Sequence, residues 1–148
     1  RKDVYEDGEW QQDRHISHFA VRTLNPEACA EFYCDVLELQ PTNRKEGDEN
    51  YYVTDGRMTV VLMPWSIMNY ADTGISRAGP DHFAFKVESI DALKKDLQAM
   101  IERNQNLRPP EVGIGAEGKA RLSLFEKSTP YAQFHLSDYD NTMLAVSE

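Results

Sequence analysis

Two pentapeptides in this chain are written alike: His18-Phe19-Ala20-Val21-Arg22 and His82-Phe83-Ala84-Phe85-Lys86. Each alternates a polar or small residue with a large apolar one, the period-two signature of a strand whose two faces meet different surroundings. The segments immediately downstream of the two are also alike. After the first, Asn25 is placed to cap a helix, Pro26 suits its first position and Glu27 its first turn, because a fixed proline φ and the helix dipole favour them there. Cys29, Phe32, Tyr33, Val36 and Leu37 then recur at three-to-four spacing and predict an apolar stripe laid against a sheet. After the second, Ser89 caps a predicted helix whose matching stripe is Ile90, Leu93, Leu97, Met100 and Ile101. Further on, Tyr52-Val53-Thr54-Asp55-Gly56 resembles His135-Leu136-Ser137-Asp138 followed by Asp140-Asn141, a strand entering a turn whose residues tolerate positive φ. The β-prone runs Met58 to Met63 and Thr142 to Val146 complete two hairpins.

A strand, helix and three-strand unit written twice predicts an α+β fold of two βαβββ modules forming a curled mixed sheet around a cavity. Module one is 15–65, the loop 66–78 connects, and module two is 79–148; residues 1–14, with Asp3, Glu6, Asp7 and Glu9, read as an acidic extension or linker remnant. Residues 104–118, with Pro109, Pro110 and three glycines, predict an irregular excursion before a strand at Ala120 to Glu126.

The 148 residues suffice for one well-buried core. A net charge of -9, from 25 acidic and 16 basic residues, opposes binding to nucleic acid or anionic lipid, since phosphate binding is driven by Lys and Arg releasing counterions. No stretch approaches the roughly 18 apolar residues of a spanning helix, and the first residues are too polar for a signal peptide. Cys29 and Cys34 are turned to different faces of the predicted helix at ~100° per residue, so no disulfide is expected between them. Two unpaired thiols suit a reducing compartment, and the cytoplasm is the expected location. The sequence opens on Arg rather than Met, from which a processed chain or a segment of a longer one is expected.

On these residues the chain resembles the vicinal oxygen chelate superfamily of glyoxalases, bleomycin-resistance proteins and extradiol dioxygenases. The resemblance is carried by Ile16 to Val21, Pro26-Glu27, Ala30 to Tyr33, Asp35-Val36-Leu37, Gly79 to Val87, Ser137 to Thr142 and Val146-Ser147-Glu148. It implies the glyoxalase/bleomycin-resistance/dihydroxybiphenyl-dioxygenase fold. In members with a full site, a divalent metal is held by a His on the first strand of each module and a carboxylate on the last strand. The resemblance places those histidines at His18 and His82. Four residues past Asn141, where the family has Glu or Asp, stands Ala145, and the counterpart past Gly56 is Val60. The site is therefore incomplete: two imidazoles would hold Fe, Zn, Mn or Ni without the anionic oxygen that offsets the metal's charge. His135 substitutes as the third ligand if it pairs opposite Ala145, whereas a one-residue slip sends it to the other face. Tyr52, at the repeat position equivalent to His135, is a candidate pocket wall or proton donor, or else ordinary sheet packing.

The resemblance carries two functional expectations. In the first, the domain acts on an oxygen-rich small molecule as a lyase, isomerase or ring-cleaving dioxygenase. His18 and His82 would then hold a Lewis-acidic metal, or one of them would act as general base, with Tyr52 and His135 against the substrate. In the second, Ala145 and Val60 mark a metal-free sequestering domain or a non-catalytic module of a larger oxygenase. The implied partners are a small-molecule ligand and either a second copy, as a homodimer, or a tandem domain in a longer chain.

Overall fold

The two repeated pentapeptides become the two central strands of one sheet. The computed structural model describes residues 12–129 and 132–148, so the acidic residues Asp3, Glu6, Asp7 and Glu9 lie outside the described residues. Module one contributes β1 (His15–Thr23), α1 (Pro26–Leu37), β2 (Gln40–Pro41), β3 (Tyr51–Thr54) and β4 (Thr59–Pro64). Module two contributes β5 (Gly79–Lys86), α2 (Ile90–Arg103), α3 (Gly115–Ser128), β6 (Phe134–Ser137) and β7 (Met143–Ser147). The strands form one mixed sheet of seven, in the order β2-β3-β4-β1-β5-β7-β6. β1 lies antiparallel to β5 at the centre, and each central strand has a parallel partner from its own module, β4 for β1 and β7 for β5. The α+β sheet expected from the repeat is thus present. No helix among the described residues is long and apolar enough to cross a membrane.

The helix starts obey the local chemistry. Asn25 Oδ1 accepts the Ala28 N–H at 3.1 Å, Pro26 occupies the first turn, and α1 closes on Glu38 in the left-handed region at φ 59°. Ser89 Oγ accepts the Ala92 N–H at 3.2 Å to start α2. On α2 the expected stripe holds: Ile101 is buried and Ile90, Leu93, Leu97 and Met100 are half-buried.

On α1 the face is rotated from the expected one. Cys29, Ala30, Tyr33 and Cys34 meet Val53 and Leu62, while Phe32, Val36 and Leu37 are 52%, 62% and 51% exposed. Three-to-four spacing fits either rotation, and the small Ala30 lets the helix approach the sheet on its own side. Both thiols are free, and both pack on that one cluster. At ~140° apart on the helix they straddle its contact with the sheet.

Ala120 to Glu126, expected as a strand, lies inside α3. The alternation of Ala120, Leu122 and Leu124 mimics a strand, but Ala, Glu, Lys, Arg and Leu dominate the segment and are strong helix formers. In the helical state Arg121 and Phe125, one turn apart, are both buried. Module two therefore places a helix where module one has β2. α3 meets the face of the sheet turned away from α1, where Phe125 packs against Ala84 and Ala145.

Phe125 is fully buried, so Phe125→Ala should lower stability by about 3–5 kcal/mol through lost transfer energy and a cavity. In urea unfolding, the expected result is a reduced midpoint with an unchanged slope.

Candidate functional site

The central strand pair carries an irregularity that builds the site. Ala20 faces His82 across the β1–β5 ladder, yet the next residue, Val21, faces Pro80, so no β1 residue stands opposite Asp81. In a regular strand Asp81 and His82 would point to opposite faces. A bulge at Asp81 re-aims its side chain, and Pro80, which cannot donate to a ladder, is suited to the position before it. Both side chains are fully buried, with Asp81 Oδ2 accepting from His82 Nδ1 at 2.6 Å. On its other side, His82 Nε2 lies 3.3 Å from His18 Nε2, the rings meeting edge to face at 81°. His18 Nδ1 is 3.5 Å from Ser17 Oγ.

Asp81 is also the centre of a buried charge cluster. Its Oδ1 accepts from Arg22 Nη1 at 2.9 Å and from Arg121 Nη2 at 2.8 Å. Burial alone would push the Asp81 carboxyl up, but the His82 hydrogen bond and the Arg121 charge outweigh it and hold the group below the usual carboxylate range. Burial, with the neighbouring His82 ring, lowers His18 to about 4, so this imidazole is neutral at physiological pH. Burial next to Asp81 raises Tyr70 to about 12, and the Tyr70 ring lies 5.9 Å from the Arg22 guanidinium carbon.

Sequence reasoning brought His18 and His82 together, and the fold does so. His135 pairs opposite Ala145, the register that puts both on one face. The Phe125 ring intervenes, however, 4.6 Å from the His82 ring and 5.0 Å from that of His135. Among the described residues His135 Nε2 is buried without a hydrogen-bond partner, and burial lowers the pKa of the ring. Tyr52 packs on Ala20, Val61 and Met63, and its hydroxyl donates to Asp48 Oδ2 at 2.8 Å. It lines a groove of about 770 Å³ together with Met63, Tyr70 and Lys127. Val60, read as the module-one counterpart of the carboxylate position, packs on the α1 side instead. Its neighbour Val61 occupies the site side and is equally unable to bind a cation.

Four residues of the site escaped sequence reasoning: Arg22, Asp81, Arg121 and Phe125. Arg22 was accessible to it, since period two places it on the face of His18. Asp81 was signalled only by Pro80 beside it in a strand. Arg121 and Phe125 were hidden by reading α3 as a strand.

The histidine nitrogens have the spacing of two ligands on a tetrahedral ion with bonds of about 2.0–2.1 Å, and Asp81 would orient one of them. A third donor is missing. Ala145 has none, Phe125 separates His135, and among the described residues no three of His, Cys, Asp and Glu form a metal-holding group. Among the described residues the donor set does not fit a resident divalent ion. Beside His18 there is instead a cavity of about 250 Å³, lined by Ser17, Ala84, Ala132, Ala145 and Lys86 among others.

A curled mixed sheet of two related modules, with a histidine from each meeting at its centre, defines a glyoxalase-type α+β domain. A family model for the Glyoxalase/Bleomycin resistance protein/Dioxygenase superfamily matches residues 15–134, and the chain belongs to that superfamily. Among solved structures it is similar to the hypothetical protein BH1468 from Bacillus halodurans C-125, at 14% identity, over 93% of this chain and 96% of that one, with a TM-score of 0.52. A glyoxalase/bleomycin resistance protein/dioxygenase superfamily member from Vibrio splendidus 12B01 matches at 14% identity over 90% and 97%, with a TM-score of 0.50. Methylmalonyl-CoA epimerase from Mycobacterium tuberculosis matches at 13% identity over 90% and 87%, also with a TM-score of 0.50. At these identities the likeness is one of fold. No curated protein matches the chain.

The neutral His18 sets a pH dependence. The unfolded chain binds a proton at this residue near pH 6.5 and the folded one only near 4, so stability is fully present above 6.5 and is lost as pH falls toward 4. The expected loss is on the order of 2–3 kcal/mol, with His135 acting in the same direction. Urea midpoints measured from about pH 7 to about pH 4.5 should fall, and His18→Asn should flatten most of that slope.

Proposed function

We propose that this chain binds an oxygen-rich small molecule on the site face of the sheet and moves a proton at it without a metal. His18 acts on the molecule, and His82 and Asp81 stand behind it. The observation that carries this reading is the line of contacts from Asp81 Oδ2 to His82 Nδ1, at 2.6 Å, and from His82 Nε2 to His18 Nε2, at 3.3 Å. In this reading an ionised Asp81 accepts the Nδ1–H of His82, and the His82 Nε2 lone pair accepts the Nε2–H of His18. That arrangement puts the His18 lone pair on Nδ1. A proton leaving a C–H beside a carbonyl would bond to Nδ1, its electron pair remaining on the substrate as an enolate. The Nε2–H would then be shared with His82, and the buried Asp81 anion would stabilise the resulting positive charge. Return of the proton completes an isomerisation, and loss of a leaving group from the enolate completes a lyase reaction.

The small side chains of Ala84, Ala132 and Ala145 support this reading, because the space beside His18 lies where the superfamily's metal-binding carboxylate would project. Ring-cleaving oxygen chemistry needs an anionic oxygen ligand that Ala145 does not supply. A second reading, a metal-free sequestering domain or a non-catalytic module of a larger oxygenase, is favoured by His82 being 1% exposed with Phe125 seated against it. Tyr52 and His135 are the substrate-binding residues in both readings, Tyr52 through the groove that it lines. A homodimer or a tandem arrangement in a longer chain is part of the same proposal, as is a cytoplasmic location, which the free thiols support.

Proton transfer is tested in deuterated water with a panel of α-hydroxyketones, 2-oxoacids and acyl thioesters, monitoring loss of the C–H signal by NMR. Exchange should occur with one class and fall by roughly 10²–10⁴ in His18→Asn and in His82→Asn. Ligand binding without exchange, unchanged in both variants, would establish the second reading. Calorimetry with Fe²⁺, Zn²⁺, Mn²⁺ and Ni²⁺ should find nothing tighter than about 1 mM. Micromolar binding that disappears in His82→Ala would overturn the metal-free mechanism.

A further inference from the structure

We infer that the groove beside the first half of α3 and the ends of β1 and β5 anchors the single carboxylate of a small molecule, held by Arg22 and Arg121. The inference rests on the proposed small-molecule site but not on proton transfer there. The groove has a volume of about 670 Å³, and Arg22, Arg121, Asp81 and His82 all line it.

The first argument is charge. Two guanidiniums, from side chains only 9% and 10% exposed, share one carboxylate, which leaves a surplus positive charge in a buried setting. Buried charge is unfavourable until it is paired. The second is an orphan donor: Arg121 Nη2 is bonded to Asp81, but Arg121 Nη1 is buried with no hydrogen-bond partner among the described residues. A buried donor left unpaired is a lasting cost to the fold. Arg121 lines the groove, where a carboxylate would balance the surplus charge, and the planar guanidinium fork matches a planar carboxylate.

The rest of the lining narrows the ligand class. Glu111, Glu117 and Asp140 are exposed residues of the groove, and their charges oppose a dianion such as phosphate more than a monoanion. The hydroxyls of Thr73 and Ser137 already donate, to the carbonyls of Tyr70 at 2.7 Å and Pro110 at 2.8 Å. They therefore present acceptor lone pairs, which suit a ligand that carries hydroxyl groups as well as its carboxylate. The fitting class is a small hydroxy- or oxo-monocarboxylate.

The test monitors the guanidinium N–H signals of Arg22 and Arg121 by ¹H–¹⁵N NMR while the intact chain is titrated with lactate, pyruvate and, in parallel, inorganic phosphate. Lactate or pyruvate should shift both signals saturably with a Kd below about 10 mM, and phosphate should bind several-fold more weakly. Arg121→Lys, which keeps the charge and loses the fork, should weaken carboxylate binding about tenfold. The readout is binding alone and requires no proton exchange, so a failure of the proton-transfer chemistry would not be mistaken for a failure of the anchor. The inference is overturned if neither signal moves, if phosphate binds as tightly as the carboxylates, or if Arg121→Lys binds like the parent chain. Should Arg121→Lys fail to fold by circular dichroism, the titration of the parent chain alone decides.

Discussion

A carboxylate taken out of water has to be surrounded by donors, and the centre of this protein is arranged around one such group, Asp81. Its two oxygens receive Arg22 from β1, Arg121 from α3 and His82 from its own strand. Those partners tie the two modules to each other and fasten α3 onto the sheet. The bulge in β5 is the backbone's accommodation of this requirement, because without it Asp81 and His82 would point to opposite faces. The same contact fixes the orientation of the His82 ring, and through it the approach of His18. The dyad is thus a consequence of solvating a buried anion with protein groups.

α3 determines what that dyad can meet. By laying Phe125 between His82 and His135, the helix separates a candidate third ligand from the pair and covers His82 with an aromatic edge. It also divides the site face, with Leu124 and Lys127 on the groove that contains Tyr52 and Gly118 and Arg121 on the groove that contains His82. Where the superfamily pattern has an acidic residue, Ala145 and Ala84 lie beneath Phe125 and border the cavity beside His18. Ala145 offers no charge to balance a metal, and the space in front of the second histidine is filled by an apolar group.

The two faces of the sheet divide the chemistry. On the α1 side Val53, Leu62 and Val60 form an apolar layer, and on the other Ala20, Val61 and Met63 adjoin buried polar groups. Alternation along β4 separates these sets residue by residue, which is why a position miscounted by one, Val60 for Val61, changes from site to core.

The sequence by itself determined the paired strands, the Asn25 and Ser89 caps, the hairpins and the meeting of His18 with His82. Strand alternation and helix capping are set within a few residues, and the repeat made the symmetry visible. It did not determine the rotation of α1, the helical state of Ala120 to Glu126, the bulge at Asp81 or the seat of Phe125. In each case the local pattern admitted two answers, a helix with two usable faces, a segment with both alternation and helix-forming residues, a strand in either register. Only tertiary contacts chose between them, because burying Phe125 and surrounding Asp81 with donors depend on residues far apart in the chain, whose interaction no local spacing encodes.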